Sequence, residues 1–86
     1  MPKRLLQRED VDTRELPDND MFVYDQQQGI THYLSPEVAL VWTKCDGSNG
    51  RIDLERIVCA ELNIAEARET VREALTRLNK LNLLQQ

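Results

Sequence analysis

No stretch of this 86-residue chain is apolar over the length of a membrane-spanning helix, and its first ten residues, MPKRLLQRED, lack the apolar core of a secretion signal. A cytoplasmic protein with no membrane partner is expected. Cysteine is scarce. Cys45 and Cys59 fall in segments that read as helical and partly buried, where an unpaired thiol behaves as a small hydrophobe, and without a secretion signal a disulfide is not expected. Histidine is scarcer still, with His32 alone. A structural zinc site takes four ligands, usually as close pairs, and His32, Cys45 and Cys59 offer three scattered candidates and no pair. Basic charge is in deficit too: 11 Lys and Arg against 15 Asp and Glu give a net charge of -4. That balance counts against a surface built to neutralise nucleic-acid phosphates or anionic lipid. Asp46, Gly47, Ser48 and Gly50 lack the lysine and the spacing of a phosphate loop. A chain this short buries only roughly 60 to 65% of its unfolded surface. One modest core leaves no room for a deep catalytic cavity with a shell to position its groups, so a binding module is expected, with no enzymatic activity and no cofactor.

What the chain does have is centred on residues 30–47, ITHYLSPEVALVWTKCDG, where the period changes. Ile30–Leu34 is rich in β-formers. Ser35 and Pro36 then open a run, 38–42, that is apolar on every side. A capping serine followed by a proline whose φ suits the first helical turn marks a direct strand-to-helix switch. The run reads as a central buried helix over 36–45, stopped by Asp46 and Gly47, and Trp42 reads as core.

Upstream, residues 1–20 are charged and weakly patterned, with Leu5 and Leu6 tucked onto the core and 11–16 as a first strand ended by Pro17. Met21–Asp25 is a clearer strand, and QQQG, with Gly29 free to take positive φ, makes a four-residue hairpin loop into Ile30–Leu34. Pairing Asp25 with Ile30 sets Tyr24 against Thr31, Val23 against His32, Phe22 against Tyr33 and Met21 against Leu34. Met21, Val23, Ile30, His32 and Leu34 then share one face, and Phe22, Tyr24, Thr31 and Tyr33 the other. Both faces are partly apolar, so both need cover, or one is kept for a partner.

Downstream, Asp53 reads as the N-cap of a helix over 54–62, with Ile52 and Ile57 at the spacing of a hydrophobic staple. Asn63 closes that helix and caps the next, 64–81, with Glu66 completing a capping box. On this last helix Ile64, Ala67, Val71, Ala74, Leu78 and Leu81 form one stripe, Leu75 lies at its margin, and Arg68 and Arg72 border Leu75. The arginines have a plain reading as solvating charges, with Glu69–Arg72 and Glu73–Arg77 as surface pairs. A hairpin followed by three helices defines one α+β, winged-helix-like domain over 1–86, with a three-stranded antiparallel sheet leading the helices. Two function classes use such a scaffold. A DNA-binding regulator would place the last helix in the major groove. Residues 63–82 hold four basic and three acidic side chains, and Glu66, Glu69 and Glu73 would face phosphates badly. The other class adds an extended peptide to an open sheet edge beside a helix.

The order Tyr33-Leu34, Trp42, Asp46-Gly47, then Ile57, Leu62, Leu78, Leu81 and Leu83, resembles the PqqD-like family over residues 22–84. These are recognition domains for precursor peptides of ribosomally made, post-translationally modified products. Ser35 stands where the family usually has asparagine, the loop 47–51 is longer than usual, and Asn82 replaces a glycine. The departures bear on the branch rather than on the resemblance itself, and the branch is read as one serving lasso or other modified peptides, with the pyrroloquinoline quinone pathway as the alternative. The resemblance implies that a precursor's leader segment adds as a strand along Ile30, Thr31, His32, Tyr33 and Leu34, opposite a wall of Arg68, Val71, Arg72 and Leu75. It also implies delivery to a separate maturation enzyme such as a peptidase, cyclase or radical enzyme, with no nucleic acid involved. The arginines would favour acidic leaders.

Overall fold

The computed structural model describes residues 6–84. It shows the expected α+β architecture: β1 (Val11–Glu15), β2 (Met21–Asp25) and β3 (Ile30–Leu34), then α1 (Pro36–Thr43), α2 (Arg51–Leu62) and α3 (Ala67–Lys80). The sheet is antiparallel in the order β1-β2-β3, so β3 is an edge. Its register against β2 is the one read from the sequence, from Asp25 opposite Ile30 to Met21 opposite Leu34. Gly29 supplies the positive φ, 69°, that closes the loop, and its N–H donates to the Asp25 carbonyl.

The helices cover only one face of the sheet. Met21, Val23 and Leu34 are buried there, with Val38, Val41 and Trp42 of α1, Leu54 and Val58 of α2, and Val71, Ala74 and Leu78 of α3 in the same core. Trp42 is fully buried and its Nε1 donates to the Leu83 carbonyl at 3.2 Å, which satisfies the one polar group the ring carries. The opposite sheet face stays open: Phe22, Tyr24 and Tyr33 are each about two-fifths or more exposed, and the Phe22 and Tyr33 rings meet edge to face at 5.9 Å.

Several boundaries differ from the sequence reading. α1 ends at Thr43, so Cys45 lies beyond it, buried, with its carbonyl accepting the Gln7 N–H at 2.7 Å. α2 begins at Arg51, with Gly50 rather than Asp53 as N-cap. Asp53 sits inside the first turn and accepts the Gly50 N–H at 2.9 Å. Ile52 is therefore helical and 67% exposed, and makes no staple with Ile57. Asn63 is left-handed (φ 51°) and closes α2, while α3 starts only at Ala67 behind Glu66, which makes no side-chain capping bond. One residue cannot hold a left-handed C-cap and the extended backbone of an N-cap together, so the corner takes up 63–66 and no capping box forms. Leu6 is half-buried and bridges to Asp46, while Leu5 lies outside the described residues.

Two expected results follow from these local structures. Gly47 has φ +89°, and a Cβ there would lie 3.4 Å from the Leu6 side chain. Gly47→Ala should cost about 1 kcal/mol in urea unfolding, because the strain is conformational. Cys59 is exposed, whereas burial first, and then Asp46, push the Cys45 thiol up to about 11. An aromatic disulfide reagent at pH 8 should consume one thiol per folded chain quickly and the second only on unfolding, and Cys59→Ser should remove the fast phase.

Candidate functional site

The site starts from the difference between the two sheet edges. β1, VDTRE, carries Asp12, Arg14 and Glu15, the kind of charge that keeps an edge from pairing with another chain. β3, ITHYL, carries no carboxylate, lysine or arginine. Among the described residues no other backbone segment hydrogen-bonds to the outer side of β3. Ile30, Thr31 and Tyr33 are exposed, and His32 is half-buried with its Nε2 enclosed and without a hydrogen-bond partner among the described residues. The Tyr33 hydroxyl donates to Asp20 at 2.8 Å, which holds the phenol above its ordinary pKa, with burial and the charges of Asp20, Asp18 and Glu37 adding to the rise.

α1 joins this edge to the last helix, packing on both β3 and α3. Of the four residues expected to form the helical wall, Arg68 and Arg72 are exposed and Leu75 is half-buried against the core. Val71 does not belong to that surface. It is fully buried, as is Leu34 at the end of β3, because both fall on the inward side where α1 supplies a complementary apolar face. Leu34 therefore offers a ligand its backbone at most. Arg72 pairs with Glu69 one turn back, which raises the guanidinium above its ordinary pKa. Both partners are exposed, so the pair adds little stability, and no Glu73–Arg77 pair forms among the described residues. Arg68 is the cation of the wall that no described acid neutralises.

The sequence reading missed a buried charge at the start of the hairpin loop. Asp25 has no exposed surface, and its carboxylate receives the Arg8 guanidinium through two bonds, 3.0 and 3.3 Å, and the backbone N–H groups of Gln27 and Gln28. Burial acts to raise its pKa, but the Gln28 amide, Arg8 and the Gln27 amide together hold it below the ordinary carboxylate value. Arg8 also binds Asp10, and donates to the Asn82 carbonyl at 2.8 Å just beyond α3. One guanidinium thus fastens the chain's early segment to the β2–β3 loop and to the exit of α3. The signal was available in the register, which sets Asp25 on the inward side with Met21 and Val23, where a carboxylate needs a cation.

No family model matches this chain. No curated protein matches it either. Among solved structures it is similar to TbiB1 in complex with the TbiA(beta) leader peptide, with a TM-score of 0.77 over 93% of this chain and 94% of that one, at 17% sequence identity. The arrangement of three antiparallel strands and three helices is therefore a fold that TbiB1 shares. Among the described residues no helix is long and apolar enough to cross a membrane, and no group of three or more His, Cys, Asp or Glu is placed to hold a metal ion.

Proposed function

We propose that this chain is a non-catalytic recognition domain, which takes up the leader segment of a ribosomally made precursor peptide as a fourth strand along β3. It would then present the peptide to a separate cytoplasmic enzyme that cleaves or modifies it. The observation that carries this reading is the unguarded β3 edge in a sheet whose other edge is charged. Likeness in fold to TbiB1, a protein solved with a leader peptide, supports the same reading. A backbone ladder gives affinity that depends little on sequence, and side chains held between β3 and α3 give selection. The peptide is disordered beforehand, so its ordering cost keeps affinity on the order of micromolar. Within the resemblance to the PqqD-like family, lasso or other modified-peptide pathways fit better than pyrroloquinoline quinone synthesis.

The experiment is an NMR titration of the labelled chain with the leader segment of any short precursor peptide found encoded beside its gene, and with a DNA duplex as the competing class. Saturable shifts along Ile30–Leu34 with the leader, and none with DNA, are the expected result. Saturation by DNA, or no leader shifts at β3, overturns the proposal. If the leader is acidic, Arg68→Glu and Arg72→Glu should each weaken it severalfold, and added salt should weaken wild type in the same direction. Arg68→Glu should have the larger effect, because Glu69 already occupies Arg72.

A further inference from the structure

A second concave surface lies beside the β1–β2 turn and touches the β3 edge only through Asp20, which accepts the Tyr33 hydroxyl. It is a cleft of about 320 Å³ bounded by the β1–β2 turn, the face of α1 and the end of α2, and none of its lining residues belongs to β3 or α3. Leu16, Pro36, Leu40 and Leu62 line it, and each is only half-buried, so the lining keeps apolar area in contact with water. The charged residues in the lining are Glu15, Asp20 and Glu61, all acidic. Neither Glu15 nor Glu61 has an ion-pair partner among the described residues. Asp18 and Glu37 strengthen the negative field at this end, where their charges act on Tyr33.

The chemistry of the lining excludes most occupants. With no lysine or arginine in it, the cleft offers nothing to a phosphate or a carboxylate, and its volume falls at the bottom of the range for cofactor sites. It can desolvate one aliphatic side chain. The three carboxylates stand on separate elements around it, so full pairing takes cations on both sides of that side chain, which a segment of polypeptide provides. We propose that this cleft is a docking site for a partner protein, entered by one leucine-sized side chain flanked by lysine or arginine. Apolar burial holds the complex, and the charges steer it and set its orientation. The proposal does not depend on the leader-peptide reading. If both hold, the domain would carry a surface for a substrate and another for a partner.

The test uses the full chain, isotope-labelled, and three acetylated, amidated pentapeptides as probes: Lys-Lys-Leu-Lys-Lys, Lys-Lys-Ser-Lys-Lys and Glu-Glu-Leu-Glu-Glu. The leucine-centred cationic peptide should give saturable amide shifts at Leu16, Leu40 and Leu62, with a dissociation constant on the order of millimolar. The other two peptides should not saturate. Glu61→Lys, on the exposed end of α2, should weaken the first peptide roughly fivefold while leaving the spectrum elsewhere unchanged. Equal binding of the serine peptide would reduce the effect to charge alone and overturn the proposal. So would shifts confined to β3 or α3, or no saturable shift. Since no leader peptide is present in any arm, failure here leaves the β3 reading to its own test.

Discussion

Replacing Arg8 with alanine should lower Tm by about 10 °C or more, because it leaves the Asp25 carboxylate buried without its cation. Asp25→Ala should act in the same direction. The two losses should not add, since each removes the same interaction; a double variant Arg8→Met with Asp25→Leu should recover most of the stability that either single change loses. Differential scanning calorimetry of the four proteins checks this, and a Tm within 2 or 3 °C of wild type for Arg8→Ala would refute it. The pH dependence has a definite sign. Asp25 is held below its ordinary value of 3.8 in the folded chain, so the folded state binds fewer protons there than the unfolded chain does. Its contribution is therefore fully present above that value and disappears as pH falls through the lower, folded one. Asp10, depressed first by its hydrogen bond to Arg8, moves in the same direction. The Tm gap between wild type and Asp25→Asn should accordingly be constant near neutrality and close below about pH 4.

Tyr33→Pro should abolish leader binding, by about a hundredfold or more, in a chain that still folds. In an antiparallel pair every second residue turns both backbone groups away from its partner. Counting from the hairpin's closing pair, Asp25 and Ile30, Thr31 and Tyr33 have the outward parity. Proline at an edge position removes the donor that an added strand would engage, and edges tolerate it where central strands do not. Tyr33→Phe separates the backbone from the hydroxyl: it loses the bond to Asp20 but keeps the ladder, so its affinity should stay within severalfold of wild type. Wild-type affinity in folded Tyr33→Pro would end the strand-addition reading.

Much of this architecture was legible in the sequence because it rests on local chemistry. The β2–β3 register follows from a four-residue loop and period-two alternation, and the switch at Ser35 and Pro36 follows from proline's fixed φ. α3's stripe was readable as a face, but its membership was not. Val71 lies on the same stripe as residues at the surface margin, and only the packing of α1 decides that it is buried. The helix starts differ from the sequence reading at Asp53 and Asn63 for a shared reason. An acid or amide near a helix start satisfies backbone groups from more than one position, and tertiary geometry chooses between them. The contact of Arg8 with Asp25 and Asn82 joins residues far apart in the chain, and nothing in the weakly patterned first segment identifies Arg8 as the partner that the inward Asp25 requires.

That contact also bears on how a ligand would be received. β3 leaves the loop that Arg8 grips and runs directly into α1, while α3 packs on α1 and ends beside the carbonyl that Arg8 grips. Strand and helix are thus tethered to one another at two points, by a side-chain rivet at one and by a shared helix at the other. Such a frame resists opening, so if the proposed leader docks there, most of the conformational adjustment on association would fall to the incoming chain, and truncating the rivet should loosen the frame before it alters any surface that chain would touch.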